Sequence, residues 1–135
     1  MTILSGEQRY LTSQWTIRPS TPALSAPVVV LADGRSASAV ETVLEIVRDN
    51  HLGIIVGERS GGTNGDVSYI QAPGGFEVRY TGVRVSAANG SIVQGRGIVP
   101  DVVMHPTVQG VRDGRDELME AGIATATRLI AAPHP

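Results

Sequence analysis

The chain has 135 residues, of which 41% are hydrophobic and 18% charged, and its formal net charge of −2 is typical of one globular domain. The near-neutral balance without a basic cluster argues against nucleic acid as the main partner, and no apolar run reaches the ~20 residues of a membrane-spanning helix. The absence of cysteine excludes disulfides, thiolate metal sites and cysteine catalysis.

The first 26 residues carry the weakest structural signals. The loosely alternating run from Arg9 to Ile17 predicts one strand, and the three prolines from Pro19 to Pro27 predict an extended connector. No signal-peptide pattern opens the chain. We therefore expect an N-terminal strand and connector over residues 1–26 and one folded unit over residues 27–135.

A βαβ unit is predicted between Pro27 and Glu58. The apolar run from Val28 to Ala32 is β-branched and too short for a helix, so it predicts a buried strand. The run from Gly53 to Gly57 predicts a second strand, parallel to the first. Between them, apolar residues at helical spacing predict a helix that ends at Asn50. Its expected buried face is Val40, Val43, Leu44 and Val47, and its expected solvent face is Glu41, Glu45, Arg48 and Asp49.

Two serines stand where the first strand turns into the helix. The Asp33-Gly34-Arg35-Ser36 segment predicts a tight turn, and Ser36 and Ser38 flank the helix start. Free backbone N–H groups and the helix dipole favour negative charge there, so a serine at this point lies beside half of an oxyanion hole. The alternative is an ordinary helix cap, since serine is a preferred capping residue.

The remaining chain predicts a loop, a hairpin and a final helix. Three glycines in Arg59–Gly65 allow close approach of a ligand, and this loop and the serine turn both follow parallel strands, so they are expected to line one cleft. Val67–Ala72 and Phe76–Tyr80 flank Pro73-Gly74-Gly75 and predict a hairpin that extends the parallel core. Val102–Met104 predicts one more short strand. A last helix is expected to start within 113–117, with a buried stripe of Met119, Ile123, Ala126 and Ile130.

Four segments, in order along the chain, carry a resemblance to a known family. They are Ser38-Ala39-Val40-Glu41, Gly57-Glu58-Arg59-Ser60-Gly61-Gly62, Gly97-Ile98-Val99-Pro100-Asp101 and the closing GRDELMEAGI. Together they resemble the C-terminal processing (tail-specific) serine peptidases, which include the tricorn core protease and share their fold with vertebrate retinoid-binding modules. The resemblance covers Pro27 to Ile130. It implies an α/β fold with a ClpP/crotonase-like βαβ core of parallel strands, an added antiparallel hairpin and a C-terminal helix.

The same resemblance implies the chemistry. Residues 27–135 would form the C-terminal part of a catalytic domain that cleaves peptide or protein substrates through an acyl-enzyme. Carried over onto this sequence, the nucleophile is Ser38 and not Ser36, and the Ala39 N–H is an oxyanion donor. Gly61, Gly62 and Thr63 are expected to bind substrate, without metal or cofactor. Relatives are often periplasmic or secreted, and the compartment of this chain is not determined by its sequence.

The general base is the missing element. Bacterial processing peptidases use a lysine directly after the Gly-Glu-x-Thr-x-Gly motif, where this chain has Thr63, and the chain contains no lysine at all. Arginine stays protonated and does not replace it. The tricorn-like branch uses an upstream histidine and a downstream glutamate. No histidine precedes Ser38, and the glutamate position aligns with Gln94. His51 lies ~20 Å from Ser38 at the far end of the helix, and it is expected to be structural. His105 is expected to be structural as well.

Three functions remain open for this chain. The first is a serine peptidase, and the chain is then either the C-terminal half of a larger peptidase whose N-terminal half is missing here or a short relative that kept the fold and lost activity. The second is a non-catalytic module that binds an apolar ligand or a peptide terminus. The third and weaker one is a crotonase-like acyl-CoA enzyme. Without an N-terminal half, apolar sheet surface or a strand edge would be left uncovered. We therefore expect this chain to form a homo-oligomer.

Overall fold

The βαβ unit predicted from the sequence lies at the centre of the computed structural model, which describes residues 18–87 and 89–132. Strand β1 spans Val29–Ala32, helix α1 spans Ala39–Asp49 and strand β2 spans Ile54–Gly57. The two strands are parallel, and Val29 to Ala32 pair in order with Ile54 to Gly57. Residues 18–28 form neither helix nor strand, as expected of a connector, and the predicted strand Arg9–Ile17 lies outside the described residues.

The parallel sheet has three strands in the order β1-β2-β5. Strand β5 is short, Val102–Val103, and it pairs in parallel with the end of β2. At its start, Asp101 Oδ2 accepts a hydrogen bond from Ile55 N–H at 2.7 Å. All three strands therefore present their carboxyl ends at one edge, which is where ligands bind in open α/β sheets.

Helix α1 buries Leu44 and Val47 as the hydrophobic period predicted, but the rest of its buried face differs from the prediction. Val40 and Val43 are 48% and 54% exposed, whereas Glu41 is 0% exposed and Glu45 only 6%. The buried side of the helix is Glu41, Leu44, Glu45 and Val47. The assignment of both glutamates to the solvent face is wrong, because the helix is rotated so that Glu41 reaches a set of buried hydrogen-bond donors.

Glu45 has no comparable set of donors. Its Oε1 atom has no hydrogen-bond partner among the described residues, and its ion pair with Arg48 is long, 3.9 Å. Burial raises the pKa of Glu45; Arg48 opposes the rise, and the Asp49 and Glu41 carboxylates add to it. The folded protein therefore binds a proton at Glu45 more tightly than the unfolded chain does, so burial of the ionised carboxylate reduces the stability of the fold.

We expect Glu45→Gln to raise the free energy of unfolding at pH 7 by about 1 kcal/mol, because it removes a buried and poorly paired charge. The gain should shrink as the pH falls through the raised pKa, since protonated Glu45 is also neutral. Urea unfolding at several pH values measures this, with Glu120→Gln on an exposed surface as the control. A gain that grows on acidification would contradict the expectation.

The core lies between α1 and the sheet and extends under the segment that precedes β5. Its cluster consists of Ala32, Leu44, Val47, Ile55, Val93 and Ile98, with Val30 packed against it. Val93 and Ile98 come from the irregular stretch that follows the hairpin, so that stretch is anchored to the sheet. This anchoring positions residues 94–98 beside the loop that follows β2.

Helix α3, Glu117–Ala131, begins where Asp116 Oδ1 caps Met119 N–H, inside the expected range. It packs closely on β1 and β2. Gly122 allows this close contact because it has no side chain: a Cβ at that position would stand 2.6 Å from Leu31 Cδ2. The predicted buried stripe is wrong: Met119, Ile123 and Ile130 are exposed, and only Ala126 is half-buried. A short helix α2, Val108–Arg112, was not predicted. No helix in the described ranges has the length and apolar character to cross a membrane.

The predicted hairpin is present as strands β3, Val67–Ala72, and β4, Phe76–Thr81. It forms a separate two-stranded sheet and does not extend the parallel core, so that part of the expectation is wrong. Both strands are almost wholly exposed. After the hairpin, the chain turns through Asn89 and Gly90, and a bridge between Ser86 and Ile92 flanks this turn.

Candidate active site

Ser38 lies at the N-cap of α1, six residues after the end of β1, and is exposed. Its backbone has φ 55° and ψ −122°. A positive φ is strained for a residue with a side chain and costs on the order of 1–3 kcal/mol, so it persists only where the surrounding structure enforces it. Ser38 and Glu41 form a capping box, in which the Ser38 hydroxyl faces the Glu41 backbone N–H without reaching the geometry of an ordinary cap hydrogen bond.

The turn before Ser38 is held by Asp33. Its Oδ1 accepts hydrogen bonds from Arg35 N–H at 2.9 Å and Ser36 N–H at 3.1 Å, and its Oδ2 contacts the Arg35 side chain. These hydrogen bonds hold the pKa of Asp33 below its usual range, and the bond from the Arg35 side chain has the largest effect. Ser36 Oγ accepts from Asp33 N–H at 3.0 Å. The Ser36 hydroxyl is therefore part of the hydrogen-bond network of the turn.

Glu41 joins the Ser38 turn to the loop after β2. Its Oε1 accepts from Ser60 Oγ at 2.5 Å and from Gly62 N–H at 2.6 Å. Its Oε2 accepts from Thr63 N–H at 2.8 Å and from Ser38 N–H at 3.2 Å. A buried carboxylate that accepts from four donors holds all four of them in place. Glu41 is thus the central residue of a buried network between the two predicted walls of the cleft.

The loop 59–65 is also held from its other side. Ser60 Oγ accepts from Ile98 N–H at 2.7 Å, and Gly62 C=O accepts from Gly95 N–H at 2.8 Å. Gly62 has φ +71°, and a Cβ there would stand 2.9 Å from Gly97 N. Glycine is therefore required at residue 62 for both conformation and space. The segment 95–98 closes over the loop and fixes it against α1.

The residues predicted for the site come together in this arrangement. Ser38 N–H and Thr63 N–H donate to the same oxygen of Glu41, so their backbones are neighbours. Gly61 N–H donates to Ser36 C=O at 2.9 Å, which places that glycine against the turn. Ala39 is the first helical residue and is exposed, and no hydrogen bond to its N–H is found among the described residues. An amide in that position is available to an external acceptor.

Comparison with known proteins identifies the family. The sequence profile of peptidase family S41 matches residues 4–104. The chain belongs to peptidase family S41. Curated relatives include a carboxy-terminal-processing protease of Bartonella bacilliformis, 31% identical over 90 residues. Another is the chloroplastic carboxyl-terminal-processing peptidase 1 of Arabidopsis thaliana, 32% identical over 92 residues. The matches cover 67% and 68% of this chain but only 21% and 19% of the two relatives. This chain therefore spans about a fifth of the length of those relatives.

Solved structures of S41 peptidases show the same fold. A putative peptidase from Parabacteroides merdae superposes with a TM-score of 0.70 at 29% identity, over 76% of this chain and 32% of that one. The photosystem II D1 C-terminal processing protease gives a TM-score of 0.53 at 31% identity, over 62% of this chain and 22% of that one. Mature CPAF complexed with lactacystin superposes with a TM-score of 0.74 at 21% identity, over 86% of this chain and 23% of that one. At this identity the likeness supports the fold alone. The resemblance and the fold class predicted from the sequence are confirmed.

Neither of the described histidines makes a hydrogen bond to a member of the Glu41 network. His51 follows the end of α1 with φ 52°, and its N–H donates to Arg48 C=O, which is the helix-end position expected for it. His105 Nδ1 is 2.7 Å from Glu58 Oε1 on an exposed surface. Gln94 Nε2 donates to Val83 C=O, which ties that residue to the segment after the hairpin. In the described ranges, no group of three metal-ligating side chains is found.

Two residues of this candidate site, Glu41 and Ser60, were not predicted as site members from the sequence. Both belong to the quoted motifs, Ser-Ala-x-Glu and Gly-Glu-x-Ser, but only as markers of the family. The signal that finds Glu41 is its spacing: a glutamate three residues after a serine is a capping box, whose carboxylate reaches back to the N-cap N–H. The Ser38 N–H to Glu41 bond is that half of the box.

Proposed function

We propose that this S41 chain carries the nucleophile of a serine-type peptidase of the C-terminal-processing kind, with Ser38 as the attacking residue. Ala39 N–H is one oxyanion donor, and Gly61, Gly62 and Thr63 line the substrate side of the cleft. The observation that carries the proposal is the strained backbone of Ser38 at a helix N-terminus, hydrogen-bonded through Glu41 to the loop 60–63. The names of the curated relatives support the same reaction.

The reaction has two steps. Ser38 Oγ gives its proton to a base and forms a bond to the carbonyl carbon of the peptide, whose oxygen takes the negative charge beside Ala39 N–H. The C–N bond then breaks, the amine leaves with the proton, and an ester to Ser38 remains. Water hydrolyses that ester to the free acid and restores the serine. Glu41 does not touch the substrate: it fixes the positions of Ser38 and residue 63.

No general base for Ser38 is found among the residues that the structure describes for this chain. It has no lysine, and its described histidines lie outside the Glu41 network. General-base assistance contributes roughly 10²–10⁴-fold in rate, so an unassisted serine should be near background. The chain is therefore expected to react with a fluorophosphonate probe at neutral pH no faster than its Ser38→Ala variant, as measured by intact-protein mass spectrometry. Stoichiometric labelling that disappears in Ser38→Ala would mean that a base is present within these residues.

The absence of lysine also favours a second function, a non-catalytic module of the same fold that binds an apolar ligand or a peptide terminus. The two functions differ in one measurement. When a base is supplied at residue 63, a peptidase site gains reactivity at Ser38, whereas a binding module does not. Calorimetric titration with peptides that carry an apolar C-terminus tests the binding function directly.

A further inference from the structure

The hairpin β3–β4 has one apolar face, and neither of its edges pairs with another strand among the residues that the structure describes. In its register, Ser68, Ile70 and Ala72 lie opposite Tyr80, Val78 and Phe76, and all six side chains share a face. The larger apolar residues of that face are 48% to 72% exposed. Neither strand pairs with another strand in the described part of the chain. A two-stranded sheet by itself is marginally stable in water, and a free edge is a template for further pairing.

The register also determines which backbone groups point outward. Gly82 N–H donates to Asp66 C=O at 3.0 Å, so this pair is hydrogen-bonded. In an antiparallel ladder, hydrogen-bonded pairs alternate with non-hydrogen-bonded ones. The pairs Val67–Thr81, Tyr69–Arg79 and Gln71–Glu77 are therefore non-hydrogen-bonded within the hairpin. On β4, the N–H and C=O groups of Glu77, Arg79 and Thr81 consequently face the free edge.

We propose that the β4 edge pairs with the β4 edge of a second copy of this chain, antiparallel, with the two-fold axis at Val78. This register places Glu77 opposite the partner's Arg79, and Arg79 opposite the partner's Glu77. Both residues have outward N–H and C=O groups, so each of these pairs forms two backbone hydrogen bonds. Both pairs also bring opposite charges face to face, which stabilises cross-strand pairing.

The apolar face fits the same arrangement. The register puts Phe76 opposite the partner's Tyr80 and Val78 opposite its own copy, both as close non-hydrogen-bonded pairs. Aromatic and β-branched pairs of this kind each contribute roughly 0.2–1 kcal/mol in antiparallel sheets. The two hairpins together make a four-stranded sheet, which is within the stable size range.

The other edge lacks this complementarity. A two-fold axis at Tyr69 on β3 would pair Val67 with the partner's Gln71, and no charged residue faces a charged residue. The chain itself already shows that the β4 charges attract, because Arg79 Nε donates to Glu77 Oε1 at 2.5 Å along the strand. The observations therefore favour β4 as the edge and a second copy as its partner.

Charge reversal tests this register. Glu77→Arg and Arg79→Glu each place like charges opposite one another in both symmetry-related pairs, so each variant alone is expected to dimerise roughly tenfold or more weakly than the wild type. Mixing the two variants restores both opposite-charge pairs, and the mixture should dimerise like the wild type. Sedimentation equilibrium over a wide concentration range measures all of these.

The double variant Glu77→Arg/Arg79→Glu should also associate like the wild type. Glu120→Arg on α3, which changes net charge as Glu77→Arg does, is the matched control and should leave dimerisation unchanged. Circular dichroism checks that every variant is folded. The proposal is overturned by a wild-type chain that stays monomeric at high concentration, by single variants that dimerise normally, or by a mixture that remains monomeric.

Discussion

At a pH of about 10, where much of the lysine is neutral, a Thr63→Lys variant is expected to react with a fluorophosphonate at Ser38 roughly 10²–10⁴ times faster than the wild-type chain, because that is the usual contribution of a general base. Thr63 is exposed, and its N–H shares an oxygen of Glu41 with Ser38 N–H. The backbone at residue 63 is therefore already fixed beside the serine. A lysine side chain there has the length and the flexibility to reach the hydroxyl.

The pH dependence identifies the base. Only a neutral amine accepts the serine proton, and lysine in an exposed position has a pKa of about 10.4. Labelling of Thr63→Lys should therefore rise with pH up to that range. Thr63→Arg keeps the positive charge and the length but stays protonated, so it should label no faster than the wild type. Thr63→Lys combined with Ser38→Ala should not label.

These variants separate the two candidate functions. Fast labelling of Thr63→Lys that is lost with Ser38→Ala supports a peptidase site whose only missing part is the base. Thr63→Lys that folds normally but labels like Thr63→Arg would contradict Ser38 as a competent nucleophile. The non-catalytic binding module would then be the better account of this chain.

The sequence predicted the βαβ unit well because local signals suffice for it. The β-branched run before Asp33 and the Asp-Gly turn determine β1 and its end, and the observed strand begins at Val29, one residue after the predicted start. The proximity of the serine turn to the loop after β2 was also predictable, since parallel strands place their following loops at one edge. The hydrogen bond from Gly61 N–H to Ser36 C=O is the direct contact between those loops.

The buried faces of the helices were less predictable, for two different reasons. On α1, a hydrophobic period treats Glu41 as a solvent residue, although its partners Ser60 and Gly62 lie some twenty residues further along the chain. On α3, close packing through Gly122 replaces the large apolar residues that the period selects, so Met119 is left exposed. In both helices a tertiary contact decides the face, and no local pattern encodes it.

The buried network also gives the largest expected change in stability. Glu41→Ala would leave four donors without an acceptor, and this cost is comparable with the whole stability of a small domain. We therefore choose Glu41→Gln, which keeps the shape of the side chain. An amide has one accepting oxygen and presents its NH₂ group to the other pair of donors, so either Ser60 and Gly62 or Ser38 and Thr63 lose their partner. The expected loss is about 2–4 kcal/mol in the free energy of unfolding.

Glu45→Gln is the matched control for that loss. Glu45 lies one turn further along the same buried side of α1, and its Oε1 has no hydrogen-bond partner among the described residues. The same chemical change, carboxylate to amide, should therefore have opposite signs at the two positions in urea unfolding at pH 7: Glu41→Gln destabilises and Glu45→Gln stabilises. Amide hydrogen exchange should localise the first effect, with faster exchange at Gly62 and Thr63. Equal stability of Glu41→Gln and the wild type would mean that the four hydrogen bonds do not hold the Ser38 turn to its loop.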